Sequence, residues 1–437
     1  MAERRAIYVN CDGLGASWVS AAHTPALAQL HVTGVMASDH RAVFPSVTRC
    51  SAASLTTGCH PRRHGLHGNR MGLQENGRLV VRDVGLPDFR EHMRRATGGT
   101  LKVPSLAERV AALGGFVAFS NVSPGAAYFL DPEHHGFVYH RAGSFGPGGR
   151  PIRGSDHLAI THDLAGDVAM TERFCAEIIK ARQPAVAILW LANPDLTLHS
   201  APLGSPAHLD AMRIADGCVA RVVEAVAEQR AAGADILLMV GSDHGQETIH
   251  TGVDITAWLE AAGFAQATAA GELAVATQGT AALIYASPAV AAQLAASVAE
   301  LQRQAWVRQV IFGEALGDVG LRSDGGLVAA IDMAQIDRPN AFGVPFGRYV
   351  AVDGDKPPAL GCGQHGGLGP DETRPFLVID RAGLTPGAIV ERSSLIDIAP
   401  SILDFLGVAA DGVDGRSLLA RGDAASLPST ARRQPCA

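Results

Sequence analysis

The chain has 437 residues, 47% of them hydrophobic, which is enough to bury a large core and suggests two or three domains. A formal net charge of −7 with 18% charged residues leaves no general footprint for nucleic acid or an acidic membrane surface. Seven cysteines, at 11, 50, 59, 175, 218, 362 and 436, show no paired spacing and read as reduced thiols, not as a disulfide framework.

Short apolar runs alternate with helical stretches from the start. Ala6–Asn10 predicts a strand and Ser17–Leu30 a helix. A helix over Leu106–Leu113 precedes the strand Gly115–Ser120. A helix over Asp167–Arg182 leads into the strand Ala185–Leu191, and one over Ala207–Ala232 leads into Asp235–Val240. Strands this continuously apolar, separated by helices, fit a parallel sheet buried on both faces. The expected fold is therefore α/β and doubly wound.

Two stretches break the alternation. Ser123–His157, rich in Gly, Pro and His, has weak periodicity and reads as a long loop, one that lines a site or is mobile. Glu272–Met333 reads as strand–turn–strand, a helix over Pro288–Gln304, then the strands VRQVIF and GLVAAID. The predicted organisation is a discontinuous core (1–250 and 355–425), an inserted α+β cap (265–340) and a tail (426–437). The N-terminus lacks the ~7–15-residue apolar segment of a signal peptide. No stretch approaches the ~18 apolar residues of a membrane span. The expectation is a soluble, cytoplasmic protein.

Metal-ligating residue types gather after the predicted strands. Asp12 follows the first. Asp195 and His199 lie in NPDLTLH, after AVAILWL. Asp243 and His244 lie in GSDHG, after DILLMV, and His365 sits in GCGQHGG. The carboxyl ends of parallel strands converge on one crevice, so these distant residues can meet. Three carboxylates and three imidazoles suit zinc or a similar borderline ion better than magnesium alone. Two sites of three ligands would clamp the attacking and leaving oxygens of a phosphoryl displacement. Taken singly, each signal is weak: Asp-Gly is commonly a turn, and Asp-His commonly surface or a cap.

The candidate nucleophile is Thr48, in FPSVTRCSAASLTTGCHP, where a Ser/Thr-rich turn precedes a small-residue helix. A helix start favours an anionic phosphate, and a metal ion would activate the hydroxyl. The alternative is that Ser46, Thr48 and Ser51 only cap that helix.

These residues, in order, resemble the alkaline phosphatase superfamily, and within it the type I phosphodiesterase/nucleotide pyrophosphatase branch, with phosphonoacetate hydrolase nearby. The resemblance runs from YVNCDGLG through the Thr48 segment and TTGCHPRRHGLHGN to NPDLTLH, GSDHG, GQHGG and the late LIDIAPSILDFLGV. It implies two zinc ions, with manganese or another divalent ion as alternatives. Asp195, His199 and His365 would hold one; Asp12, Asp243 and His244 would hold the other, with Thr48 as its oxygen ligand and the nucleophile. Asn69 and the Arg49 backbone N–H would bind a non-bridging phosphoryl oxygen. A phosphothreonine would form and then be hydrolysed. The implied substrate is a small phosphate ester or phosphonate.

Four features bear on how far the resemblance extends. Cys59-His-Pro-Arg-Arg63 matches the sulfatase pattern C-x-P-x-R, but it follows Gly58, whereas the sulfatase cysteine lies about ten residues before the equivalent glycine, where Thr48 stands. Gly13-Leu-Gly15 is a fragment of a dinucleotide fingerprint without its third glycine. Phosphonoacetate hydrolases grip the substrate carboxylate with paired lysines after a central strand. Here that stretch is FSNVSPGAAYF, and Lys102, Lys180 and Lys356 all lie elsewhere. Arg49 is itself a departure, a cation where the branch has a small or aromatic residue. C–P hydrolysis, a phosphoglycerate-mutase-like transfer (serine nucleophile, manganese) and a metal-stabilised scaffold are the rival readings.

Overall fold

Strands with no polar alternation pair with one another in the centre of the molecule, and this sets where the site lies. The computed structural model describes residues 4–354 and 358–419; the predicted tail, 426–437, lies outside the described residues. Arg4–Cys11 is flanked by Asp235–Gly241 and Val186–Leu191, both parallel to it. Phe116–Ser120 and Phe137–His140 continue the parallel run. Leu377–Asp380 and Val35–Ala37 extend the opposite side, the first antiparallel to Asp235–Gly241, in a sheet of ten strands.

The period-2 geometry of the first strand shows why the sheet is buried twice. Ala6 and Tyr8 enter the apolar cluster on one face, with Trp190, Met239 and Phe405. Ile7, Val9 and Cys11 enter the cluster on the other, with Phe174, Met212 and Val222. Helices Leu164–Arg173 and Pro206–Ala231 cover the second face and pack on each other. The fold is α/β and doubly wound, as expected.

The helix predicted over Ser17–Leu30 begins later, at Pro25–Thr33, after a short 3₁₀ turn at Ala16–Trp18. Proline at the first helical position needs no partner for an N–H. The next two N–H groups, of Ala26 and Leu27, donate to the Asp216 carboxylate at 2.9 and 2.8 Å. That cap comes from 190 residues away in sequence. The helix expected over Leu106–Leu113 is one α turn, Leu106–Arg109, then a 3₁₀ turn.

Ser123–His157 is not a loop. It forms the helix Pro124–Phe129 and the strands Phe137–His140, Ser144–Gly146 and Arg150–Ile152 at the edge of the main sheet. Ser123 caps the helix by accepting from Ala126 N–H. Gly125 lets it approach the Val84 carbonyl, which a Cβ there would meet at 1.9 Å. Strands of three or four residues separated by Gly and Pro carry too little pattern to be read.

The segment expected to be an insertion forms a four-stranded antiparallel sheet, ordered Leu273–Thr277, Ala281–Ala286, Leu327–Met333, Val307–Phe312, with the helix Pro288–Gln302. A hairpin from earlier in the chain, Arg70–Glu75 with Arg78–Asp83, shares an apolar cluster with that sheet. Gly72 permits this contact, since a Cβ would lie 2.5 Å from the Tyr285 ring. The insertion is thus packed on the segment following Asn69.

Candidate active site

Register brings the predicted ligands together. Cys11 pairs with Leu191 and Asn10 with Gly241, so three neighbouring strands end at one level. The next residues are Asp12, the turn carrying Asp195, and Asp243-His244. Gly13, at φ +71°, lets the first turn pass the turn carrying Asp195, because a Cβ there would lie 2.8 Å from Asp195 Cβ. The Gly-Leu-Gly fragment therefore serves close packing of two site loops.

Asp195 opens a single helical turn, and His199 N–H donates to its carbonyl at 3.1 Å. The i, i+4 spacing sets His199 Nε2 3.2 Å from Asp195 Oδ2. Asp167 fixes the preceding turn by accepting from Ala192 and Asn193 backbone N–H groups and from Asn193 Nδ2. His365 Nδ1 lies 2.8 Å from the Ser46 carbonyl oxygen, which turns Nε2 to within 3.3 Å of Asp195 Oδ1. His244 is oriented the same way: Nδ1 is 3.0 Å from the Gly245 carbonyl oxygen, and Nε2 faces Asp243 Oδ2 and Asp12 Oδ1 at 3.2 and 3.5 Å.

Among the described residues, two groups of three form with ligand atoms within 4.8 Å of one another: Asp195, His199, His365 and Asp12, Asp243, His244. Their division matches the expected one. The groups adjoin, since the His244 and His365 rings stack at 3.6 Å.

The donor set fits two divalent ions. Asp243 Oδ2 is buried without a hydrogen-bond partner, although Oδ1 accepts from Asn10 Nδ2 and Gly13 N–H. Burial, reinforced by Asp195, pushes the Asp243 carboxyl up to about 7. Burial, with Asp243 and Asp195 adding repulsion, raises Asp12 well above the usual range. Burial opposes ionisation of Asp195 as well, but His199 and His365 hold it well below that range. Ionised together, these three acids need positive charge between them. Each buried imidazole has Nδ1 engaged by a carbonyl and Nε2 directed inward, the arrangement of a metal-ligating histidine.

Thr48 is the first residue of the helix Thr48–Thr57, and its Oγ1 lies 3.1 Å from His244 Nε2 and 3.5 Å from Asp12 Oδ1. The capping alternative does not describe this turn. Val47 precedes the helix with no side-chain cap, Ser46 Oγ donates to the Gly367 carbonyl, and Ser51 Oγ is buried without a partner. Cys59 sits beyond the far end of this helix with its Sγ 3.6 Å from the Thr57 and Gly412 carbonyl oxygens.

Asn69 and Arg49 both line the cavity over Thr48, of about 170 Å³. The expected pairing of their donors differs in one respect. Arg49 N–H donates to Asn69 Oδ1 at 3.1 Å, so it orients that amide and leaves Asn69 Nδ2 as the donor toward the cavity. The charged Arg49 side chain folds inward, onto the Asn69 carbonyl, Asp83 and Ser123 Oγ.

Several supporting residues escape sequence reasoning. Trp190 Nε1 donates to Asp12 Oδ2 at 2.9 Å, and Gln246 Nε2 donates to Asp195 Oδ1. Gln246 directly follows GSDHG and Asn10 directly precedes Cys11-Asp12, so proximity to the motifs could have flagged both. Gln278, from the insertion, could not have been flagged. Its Oε1 accepts from Asn69 N–H and its Nε2 donates to the Arg70 carbonyl, both at 2.7 Å. Replacing Gln278 with Ala removes both bonds from a buried position; the expected cost is about 1–3 kcal/mol of stability. Loss of Asn69 alignment is expected to lower kcat about 10-fold, and thermal melts with steady-state kinetics check both.

The model of the type I phosphodiesterase/nucleotide pyrophosphatase family matches residues 6–315. No curated protein matches the sequence. Among solved structures, murine ectonucleotide pyrophosphatase/phosphodiesterase 5 aligns with a TM-score of 0.67 at 15% identity, covering 94% of this chain and 97% of its own. An inactive variant of that protein in complex with AMP aligns equally well. The human counterpart gives a TM-score of 0.66 at 14% identity, with the same coverage. These likenesses show a shared fold. With more than half of its length matched, this chain belongs to the type I phosphodiesterase/nucleotide pyrophosphatase family.

Proposed function

We propose that this chain hydrolyses phosphoric esters through a covalent phosphothreonine at Thr48, with two divalent ions, zinc first among them. The observation that carries this reading is the position of Thr48 Oγ1 at a helix start, beside His244 Nε2 and Asp12 Oδ1. When bound, the two ions supply Lewis-acid charge that makes hydroxyl and water better nucleophiles and offsets phosphoryl charge.

The chain's own residues do the rest. Asp12, Asp195 and Asp243 with His199, His244 and His365 set the positions of positive charge. Thr48 Oγ attacks phosphorus as the bond to the leaving oxygen breaks, and its proton passes to solvent. The leaving oxygen departs with the electron pair and takes up a proton. Asn69 Nδ2, oriented by Arg49 N–H, donates to a non-bridging oxygen where negative charge collects. Water then attacks phosphorus, releasing from Thr48 phosphate (from a monoester) or the remaining phosphate monoester (from a diester) and restoring the hydroxyl.

The test is chemical trapping. Metal-loaded protein, quenched in acid during turnover of 4-nitrophenyl phosphate esters, is expected to carry a phosphoryl group on the peptide containing Thr48. Turnover with no label under single-turnover conditions rules the covalent step out. A label elsewhere moves the nucleophile.

A further inference from the structure

The Arg49 side chain has three engaged contacts and one open edge. Nε donates to Ser123 Oγ at 3.1 Å, and Nη1 donates to the Asn69 carbonyl and to Asp83 Oδ1, both at 2.7 Å. Nη2 has no hydrogen-bond partner among the described residues. Gly85 makes room for it, since a Cβ on that residue would lie 2.4 Å from Nη2. The guanidinium is thus held in one place in the wall of the Thr48 cavity, one residue from the nucleophile.

Its charge is only partly offset there. Arginine keeps its proton in any such setting. The one paired acid, Asp83, has a half-exposed side chain and also accepts from Gly85 N–H, so water screens it. The cavity carboxylates, Asp12 and Asp195, belong to the ligand groups.

The remaining wall explains what this cation is for. Val122, Ser123, His162 and Leu196 also line the cavity, and the lining has no Phe, Tyr or Trp. A nucleobase would find no large aromatic ring there, only the small imidazole of His162. A small anionic group would find a fixed guanidinium edge beside the Asn69 amide. Such a fork is suited to oxyanions.

We propose that Arg49 makes this site selective for substrates that carry a second negative charge next to the phosphoryl group being transferred. The inference rests on Thr48 being the nucleophile. Two sources supply that charge: the third oxygen of a phosphate monoester, or an acid on the leaving group of a diester.

The experiment compares three substrates on the metal-loaded protein. These are 4-nitrophenyl phosphate, methyl 4-nitrophenyl phosphate and methyl 2-carboxy-4-nitrophenyl phosphate. Wild type is expected to favour the first or third over the second after correction for intrinsic reactivity. Whichever arm is favoured identifies where the charge sits. In Arg49→Ala the preference falls by about 30-fold, the scale of one charged hydrogen bond. Arg49→Lys restores part of it, and Gly85→Ala, which displaces the guanidinium without removing it, lowers it too. Inhibition by inorganic phosphate weakens in the same order, while inhibition by dimethyl phosphate does not. An equal fall on all three substrates in Arg49→Ala, or a wild type that favours the uncharged methyl diester, overturns the proposal. Failure to turn over any ester defeats instead the hydrolase reading beneath it.

Discussion

Thr48→Ala is expected to lower kcat on 4-nitrophenyl phosphate esters by about 10⁴-fold or more, the scale seen when a nucleophile is removed from residues acting as a unit. The same variant should still bind two ions, because each ligand group is complete with two carboxylates or two imidazoles plus a third donor without the hydroxyl. It should also fold normally. Thr48 Oγ1 has no backbone partner and caps nothing, so its loss removes no bond that holds the helix start. Turnover assays run beside metal analysis check this. Activity close to wild type would sink the nucleophile assignment, and loss of both activity and metal would make Thr48 chiefly a ligand.

The second large effect concerns the ligands. Asp12, Asp243 and His244 are buried, whereas the side chain of His199 is 40% exposed. The ion held by Asp195, His199 and His365 is therefore expected to leave first when a chelator is added. Activity should then fall before the protein loses stability. Removing the inner ion leaves three crowded acids, with the unpartnered Asp243 Oδ2, in a dry interior. A ligand present at 1,000 times its dissociation constant contributes about 4 kcal/mol, so its removal should lower the melting temperature by many degrees. Asp243→Asn is expected to bind about one ion instead of two and to lose about 10³-fold or more in kcat, since the proposed reaction uses both ions on the same displacement. Parallel chelator titrations, read by metal content, activity and melting temperature, check the order. Simultaneous loss of both ions would contradict it.

Sequence reveals the features whose causes are local or repeated. Val186–Leu191 is apolar throughout because both faces are covered, so its strand is readable without knowing its neighbours. Five of the six predicted ligands follow parallel strands of the main sheet, and one structural rule places them together; His365 follows the two-residue strand Gly363–Gln364 of a separate sheet and is placed by its own motif. Pro25 overrides the preceding helical pattern because its cap comes from Asp216, far along the chain. Ser123–His157 escapes because its strands gain their pairing from a sheet edge and not from an apolar run. Arg49 could be named but not oriented, since its contacts come from residues 69, 83 and 123. Gln278 is invisible for the same reason: what matters is where the insertion meets the core.

That meeting point has a consequence for how the protein matures. The turn Gln278-Gly279-Thr280 lies between Asn69 and the loop of His365. Gln278 grips the Asn69 peptide, Thr280 N–H donates to the His365 carbonyl, and Thr280 Oγ1 accepts from Gly367 N–H. Gly366, at φ +132°, has no space for a Cβ, which would sit 1.6 Å from the Gln278 carbonyl oxygen. Asn69, Gln278 and His365 are separated by some two hundred and then nearly ninety residues, so their closure is entropically slow. The loop of the last imidazole is fastened to this turn, so it is expected to settle only once segment 273–333 has folded and docked. On the ribosome, the first five predicted ligands emerge long before this step, and a chain cut after residue 315 would keep the family match but lack His365, the third member of the Asp195–His199 group. Maturation of the enzyme is thereby tied to the completion of nearly its whole length.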